Sequence, residues 1–252
     1  MVSDEIDGMG ESESNLIYKQ NFQIRTSEIG EDLKLSIPSA IQLMQEASMQ
    51  QIIDINASYW DLKEEGISWV LLKKEVHFHS FPKLLQKVKV STYASEFDRF
   101  FAYRDYLIDH VDGVCAASAS SQWALIDIES RKMVKMPERF QQMQTPNKTL
   151  EKPKFKLSNL SSPIRQENHK IKYYDLDWNG HLNNSVLIKK MLGAASIESF
   201  KLKPTKFQIS FKSEAFLDQE IEVKIEEMES DLLFQVDNLS TEKVIALGRL
   251  FH

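Results

Sequence analysis

The chain has 252 residues, 42% of them hydrophobic and 27% charged, with a net charge of −6. That balance belongs to a folded globular protein of one large or two small domains. It argues against a nucleic-acid binder, which carries a strongly basic face, and a disulfide scaffold, since Cys115 is the single cysteine. No apolar run approaches a membrane span and no signal sequence opens the chain, so the expectation is a cytoplasmic protein.

Asp4, Glu5, Asp7, Glu11 and Glu13 crowd the first 14 residues, which read as a disordered acidic tail. Without those five, 32 acidic side chains face 31 basic ones. Lysines cluster locally at 148, 152, 154 and 156 and at 201, 203, 206 and 212. Each alone reads as solvated surface; together they could meet an acidic partner.

Residues 16–26 read as a first strand and Glu28–Leu35 as a connection. Ile37-Pro38-Ser39 opens a helix to about Asn56, with an apolar stripe of Ile37, Ala40, Ile41, Met44, Ala47, Ile52 and Ile55. An irregular segment with Tyr59, Trp60 and Gly66 follows. Strands are predicted over Ser68–His79, Gln86–Phe97, Arg99–Asp109 and Val114–Ile128, the last two joined at Asp112-Gly113. Residues 137–165 hold Pro137, Pro146, Pro153 and Pro163 without clean periodicity and read as an extended linker.

The first pattern then returns. Residues 22–48 lie on 169–195 at an offset of 147: Ile24 meets Ile171, Glu28 meets Asp175, Leu35 meets Leu182 and Met44 meets Met191. Beyond the helix the offset falls to 133, where Phe78 meets Phe211 and Leu85–Val90 meets Asp218–Val223. The lost 14 residues correspond to the Tyr59–Gly66 region. Strands at Asp231–Leu239 and Lys243–Phe251 finish the second copy. The prediction is an α+β double unit, each half a long helix wrapped by a curved antiparallel sheet, with their edges joined. The expected boundaries are 15–140, a linker at 141–165, and 166–252.

The second copy contains Tyr174-Asp-Leu-Asp-Trp-Asn-Gly-His-Leu-Asn-Asn-Ser185. If extended, it points Asp177, Asn179 and His181 to one side. Asn183, Asn184 and Ser185 are N-cap residues for a helix over Val186–Ala195, whose Ile188, Met191, Leu192 and Ala195 follow helical spacing. Asp177, Asn179, His181 and Glu214 lie opposite Gly30, Asp32, Lys34 and Phe81 of the first copy. A structural role would need them in both copies. The asymmetry predicts one active site per chain, with the first copy free to lodge an apolar tail.

Asp-Leu-Asp-Trp-Asn-Gly-His-Leu-Asn-Asn (175–184) resembles the D-L-D-x-N-x-H-x-N-N signature of acyl-acyl-carrier-protein (acyl-ACP) thioesterases, bacterial and plant types. Glu214 falls where that family has its catalytic Glu, and the resemblance extends over about residues 18–252. It implies a double hot-dog fold, hydrolysis of acyl-ACP thioesters and no cofactor. It further implies a catalytic set of Asp177, Asn179, His181 and Glu214, an acyl chain held in the N-terminal hot dog, and acyl carrier protein as partner. Plant members often carry Cys directly after the Glu; this chain has Ala215 there.

No Gly-x-Ser-x-Gly elbow or Cys–His pair supplies a nucleophile, so water must attack. Glu214 or Asp177 is the candidate base; Asn179 and His181 orient water or thioester, with His181 a candidate donor to the leaving thiolate. Backbone N–H groups at the second helix start are candidate oxyanion donors. Cys115 reads as a packed thiol, and His77 and His79 as exposed strand histidines without a third metal ligand. Trp69, Trp123, Met44 and Met49 are compatible with either a pocket lining or the core. The rivals are an acyl-coenzyme A thioesterase, a non-catalytic acyl-thioester sensor, and a hot-dog hydratase. A monomer or a homodimer is compatible with the duplication.

Overall fold

In a computed structural model, the described residues are 16–145, 150–195, 203–229 and 231–252. The expected acidic tail, Lys148 and Lys201 lie outside them. The first half runs β1 (Ile17–Gln23), α1 (Ile37–Asp54), α2 (Tyr59–Lys63), β2 (Ile67–Phe78), β3 (Lys87–Phe97), β4 (Phe101–His110) and β5 (Cys115–Asp127). The second runs β6 (Arg165–Lys170), α3 (Asn184–Gly193), β7 (Lys206–Phe211), β8 (Glu220–Met228), β9 (Asp231–Asn238) and β10 (Lys243–Phe251).

The strands form one 10-stranded sheet in the order β1-β3-β4-β5-β2-β7-β10-β9-β8-β6. Read outward from the centre, both arms have the same order. The halves join where β2 pairs antiparallel with β7, from Lys73 opposite Ser210 to His77 opposite Lys206. This joint removes one exposed strand edge from each half. The architecture is a double hot dog.

Helix α1 begins where Ser36 Oγ accepts from Ser39 N at 3.4 Å, with Pro38 in the first turn. Ile37, Ala40, Ile41, Met44 and Ala47 are buried in the main core. Each large apolar side chain removed from water there contributes about 1.5–3 kcal/mol. Ile52 and Ile55 instead pack on a smaller cluster with Ala57, Leu62 and Phe140. Helix α3 starts at Asn183, whose Oδ1 accepts from Ser185 N at 2.8 Å, and it buries Leu187, Ile188, Met191 and Leu192.

The duplication extends to individual hydrogen bonds. Leu35 N donates to Pro82 O at 2.7 Å, and Leu182 N to Ala215 O at 2.8 Å. Ser36 N donates to Glu28 O as Asn183 N does to Asp175 O. Leu85 and Asp218, which share a place in the repeat, both have positive φ, 66° and 65°.

Three segments differ from the sequence reading. The first strand stops at Gln23 because Thr26–Glu28 turn into a short 3-10 helix, closed by Arg25 N donating to Glu28 Oε2 at 2.8 Å. The irregular Tyr59–Gly66 region contains α2, started by Ser58 N donating to Asp61 Oδ2 at 2.9 Å. Within the predicted linker, Glu138–Met143 form a 3-10 helix that buries Phe140 between Trp69, 5.2 Å away, and Phe97, 6.3 Å away. Proline count and polarity masked that single aromatic anchor. Residues 150–164 carry no helix or strand; Lys73 Nζ donates to Phe155 O at 2.9 Å.

Candidate active site

The signature stretch is folded back rather than extended. Gly180 N donates to Asp177 O at 3.0 Å and Asp177 N to His181 O at 2.8 Å, closing a tight turn. Gly180 takes φ +77°, the left-handed region that glycine enters at little cost. Alternation along a strand therefore does not describe Asp177, Asn179 and His181, because Asn-Gly turn chemistry prevails.

The turn gives the two acids different duties. Asp177 Oδ1 accepts from Asn179 N at 2.9 Å and from His181 N at 3.1 Å. This carboxylate is committed to the backbone of the loop. Glu214 lies beyond β7, where Lys212 N donates to Ile245 O at 2.8 Å and Ser213 Oγ to Val244 O at 2.8 Å. Glu214 Oε1 sits 3.3 Å from His181 Nδ1. The His181 ring stands edge-on to Phe216, centroids 5.0 Å apart and planes at 89°.

Asn179 Nδ2 lies 3.4 Å from the same His181 Nδ1. That nitrogen holds one proton at most. It either donates to Glu214 or accepts from Asn179, so the tautomer couples all three side chains.

A further residue completes the cluster. Arg131 Nη2 forms an ion pair with Glu214 Oε2. It reaches in from the first half, from the turn after β5. There Asp127 Oδ1 accepts from Ser130 N at 2.7 Å, and Arg131 N donates to Asp127 O at 2.9 Å. The Ser130 hydroxyl and amide hold the Asp127 carboxyl below its ordinary range. Arg131 itself takes φ +58°. Sequence reading missed it. It lies past the end of the segment that the second copy repeats, and Ser-Arg-Lys in a turn has no motif.

All five of these side chains line one cavity of about 690 Å³. Its walls include Ile41, Met49 and Ile52 of α1, Leu187 and Ile188 of α3, and Trp69 and Trp123 of the first-half sheet. The cavity is lined chiefly by first-half residues, and the polar cluster from the second half forms part of its wall. Met44 is wholly core. Asn184, the first residue of α3, also lines the cavity, which puts the helix start beside the polar cluster. Trp178 is half exposed and packs at a tilt against Tyr59 and Trp60 of α2, centroids 4.7 and 5.1 Å away, tying the 175–183 turn to the first-half insertion.

Cys115 is half-buried at the start of β5, and its Sγ donates to Ala117 O at 3.4 Å. Burial, and then the Asp109 charge, raise its thiol pKa, which favours the inert thiol. It is not part of the cavity wall. His77 pairs with Glu75 at 3.0 Å. Among the described residues no group of His, Cys, Asp and Glu could hold a metal ion, and no helix is long and apolar enough to cross a membrane.

Two family models match the chain: the acyl-ACP thioesterase N-terminal domain over residues 15–143 and the C-terminal domain over 158–247. Among curated relatives, the acyl-[acyl-carrier-protein] hydrolase FATB2 of Cuphea viscosissima is 26% identical over 70% of this chain and 46% of its own length. The palmitoyl-acyl carrier protein thioesterase of Arabidopsis thaliana is 26% identical over 76% and 51%. The chain thus spans about half the length of the curated relatives it matches. In fold it is similar to an acyl-ACP thioesterase from Bacteroides thetaiotaomicron, with a TM-score of 0.85, 21% identity, and coverage of 95% of this chain and 99% of that one. It is also similar to the 12:0-ACP thioesterase from Umbellularia californica, with a TM-score of 0.86, 18% identity, and coverage of 97% and 98%. The two matching models together extend over most of the chain, and the chain belongs to the acyl-ACP thioesterase family.

Proposed function

We propose that this protein hydrolyses the thioester of a fatty acyl chain carried by acyl carrier protein, releasing the free acid and the carrier thiol. The observation that carries the reading is the Glu214–His181 pair in the wall of a large, mainly apolar cavity. The cavity takes the acyl chain and leaves its thioester beside the polar cluster. No cofactor enters the scheme.

Water attacks the carbonyl carbon. Glu214 takes a proton from that water, and Arg131 holds the carboxylate in place through its ion pair. Asn179 and His181 orient the water and the thioester, and His181 returns a proton to the departing thiolate as the C–S bond breaks. Asp177 is a positioning residue: it shapes the turn that holds Asn179 and His181. Backbone N–H groups at the start of α3 stabilise the oxyanion; each such donor contributes about 3 kcal/mol to lowering a barrier.

The family supports the carrier-protein handle, as do the acyl-ACP hydrolases among its curated relatives. So do Lys212 and Lys243, which are exposed and line the same cavity as Glu214, a basic rim that an acidic partner would meet. The single cysteine supports placing the protein in the cytoplasm, a reducing compartment. The test is thiol release from matched acyl-ACP and acyl-coenzyme A substrates by wild type and His181→Ala. Fast release from the carrier-protein set, lost in the variant, is expected. Release from coenzyme A alone keeps the chemistry and overturns the partner. Binding without release from either overturns the enzyme reading.

A further inference from the structure

The cavity is not apolar throughout. Lys74 of β2 lines it and is only 3% exposed. Among the described residues its Nζ makes no hydrogen bond or ion pair, and it rests 4.0 Å from the centre of the Tyr106 ring. Arg104 of β4 lies beside it, donating to Gln51 Oε1 of α1 and, at 3.1 Å, to Thr92 Oγ1 of β3. Burial first, and then the Arg104 charge, push the Lys74 ammonium down to about 7. The carboxylates in the cavity wall are Asp177 and Glu214, the acids of the second-half polar cluster. Asp105 follows Arg104 in β4, and strand alternation turns it to the opposite face.

Core packing does not call for a lysine here. At the repeat offset of 133, Lys74 corresponds to Phe207, which is fully buried in the second half. The same fold position therefore takes an aromatic where there is only core and an amine where there is a cavity. A buried cationic group without an acceptor is costly, and a ligand acceptor arriving through the cavity removes that cost. Lys74 is also at a workable depth. It pairs with Ile209 of β7, and five residues of chain lead from there to Glu214. Fully extended, these span at most about 17 Å, a reach that a fatty chain covers.

We propose that Lys74, with Arg104 and Gln51 beside it, forms a receptor for an oxygen function on the distal part of the acyl chain: a hydroxyl, an oxo group or a second carboxylate. The preferred substrates are then oxygenated acyl thioesters, not plain alkyl ones. This deepens the thioesterase reading and rests on it for the handle, but not for the binding.

The test compares acyl-ACP substrates of equal carbon count carrying a plain methyl end, an ω-hydroxyl or an ω-carboxylate, with wild type and Lys74→Met. Wild type is expected to favour at least one oxygenated chain by about tenfold or more in kcat/KM, the size of one charge-assisted hydrogen bond. Lys74→Met should erase or reverse that ratio. A wild type that prefers the methyl-ended chain overturns the proposal, whether or not the variant folds; so does an oxygenated preference that Lys74→Met leaves unchanged. Calorimetric binding of the corresponding free acids separates the two readings. Selective binding of the oxygenated acid with no thiol release from any thioester keeps this site and overturns the hydrolase. Release without such selectivity does the reverse.

Discussion

The turn at residues 28–36 and the turn at 175–183 are the same piece of backbone with different chemistry. Gly30 N donates to Lys34 O as Asp177 N does to His181 O, and Leu33 N donates to Gly30 O as Gly180 N does to Asp177 O. In the first turn Lys34 makes an exposed ion pair with Asp32 at 3.2 Å, and Phe81 stacks on Phe78 at 5.3 Å. In the second, His181 and Glu214 occupy the matching places and face each other across 3.3 Å. The scaffold needs only the backbone bonds. What differs is the side chains at a few positions, together with Arg131 reaching across from the other half.

The largest effect in breaking this asymmetry belongs to Glu214→Gln. It removes the proposed base and keeps the shape, and should lower kcat about 10³-fold in thiol-release assays while leaving Tm in place. Next is the cavity amine. Lys74 has its folded pKa depressed from 10.5 to about 7, so the unfolded chain binds more protons between those values. Stability therefore rises with pH across that window, and the penalty is fully present below about 7. Wild type should gain about 2 kcal/mol relative to Lys74→Met between about pH 7 and 9, measured by denaturant unfolding.

Arg131→Met tests whether the second half is catalytically self-sufficient. Freeing one side of Glu214 should cost about tenfold in kcat, from misplacement of a carboxylate held by a single partner. An unchanged kcat would make the cross-half ion pair a surface accident. The smallest effects separate the two turns themselves. Gly180→Ala forces a side chain into φ +77° and should cost about 1 kcal/mol of unfolding free energy. Leu33→Gly relieves φ +59° at the matching place and should change stability by about 0.5 kcal/mol or less, in the stabilising direction.

The order of elements was legible because hydrophobic periodicity and the repeat both survive in the residues. Met44 and Met191, or Ile24 and Ile171, occupy equivalent core positions and cannot drift far without leaving voids. The polar residues that gather at the site were legible for the opposite reason: they stand where the other copy has Gly30, Lys34 and Phe81. What could not be read is what depends on three-dimensional reach. Arg131 contacts Glu214 from 83 positions away, through a turn whose Ser-Arg-Lys carries no motif. The committed role of Asp177 depends on a turn geometry that the alternating letters of the motif conceal. Lys74 sits among Val70, Leu72, Val76 and Phe78 in a strand that reads as apolar, and only the cavity distinguishes it from a surface lysine. The Phe140 helix was hidden because one buried aromatic leaves no period.

The most direct measurement is single-turnover thiol release from acyl-ACP by Glu214→Gln beside Phe81→Leu, its counterpart in the first copy, with folding of both verified by Tm. The asymmetric reading predicts a loss of about 10³-fold for Glu214→Gln and a rate near wild type for Phe81→Leu. Wild-type release by a folded Glu214→Gln protein would contradict it and move the base to another group.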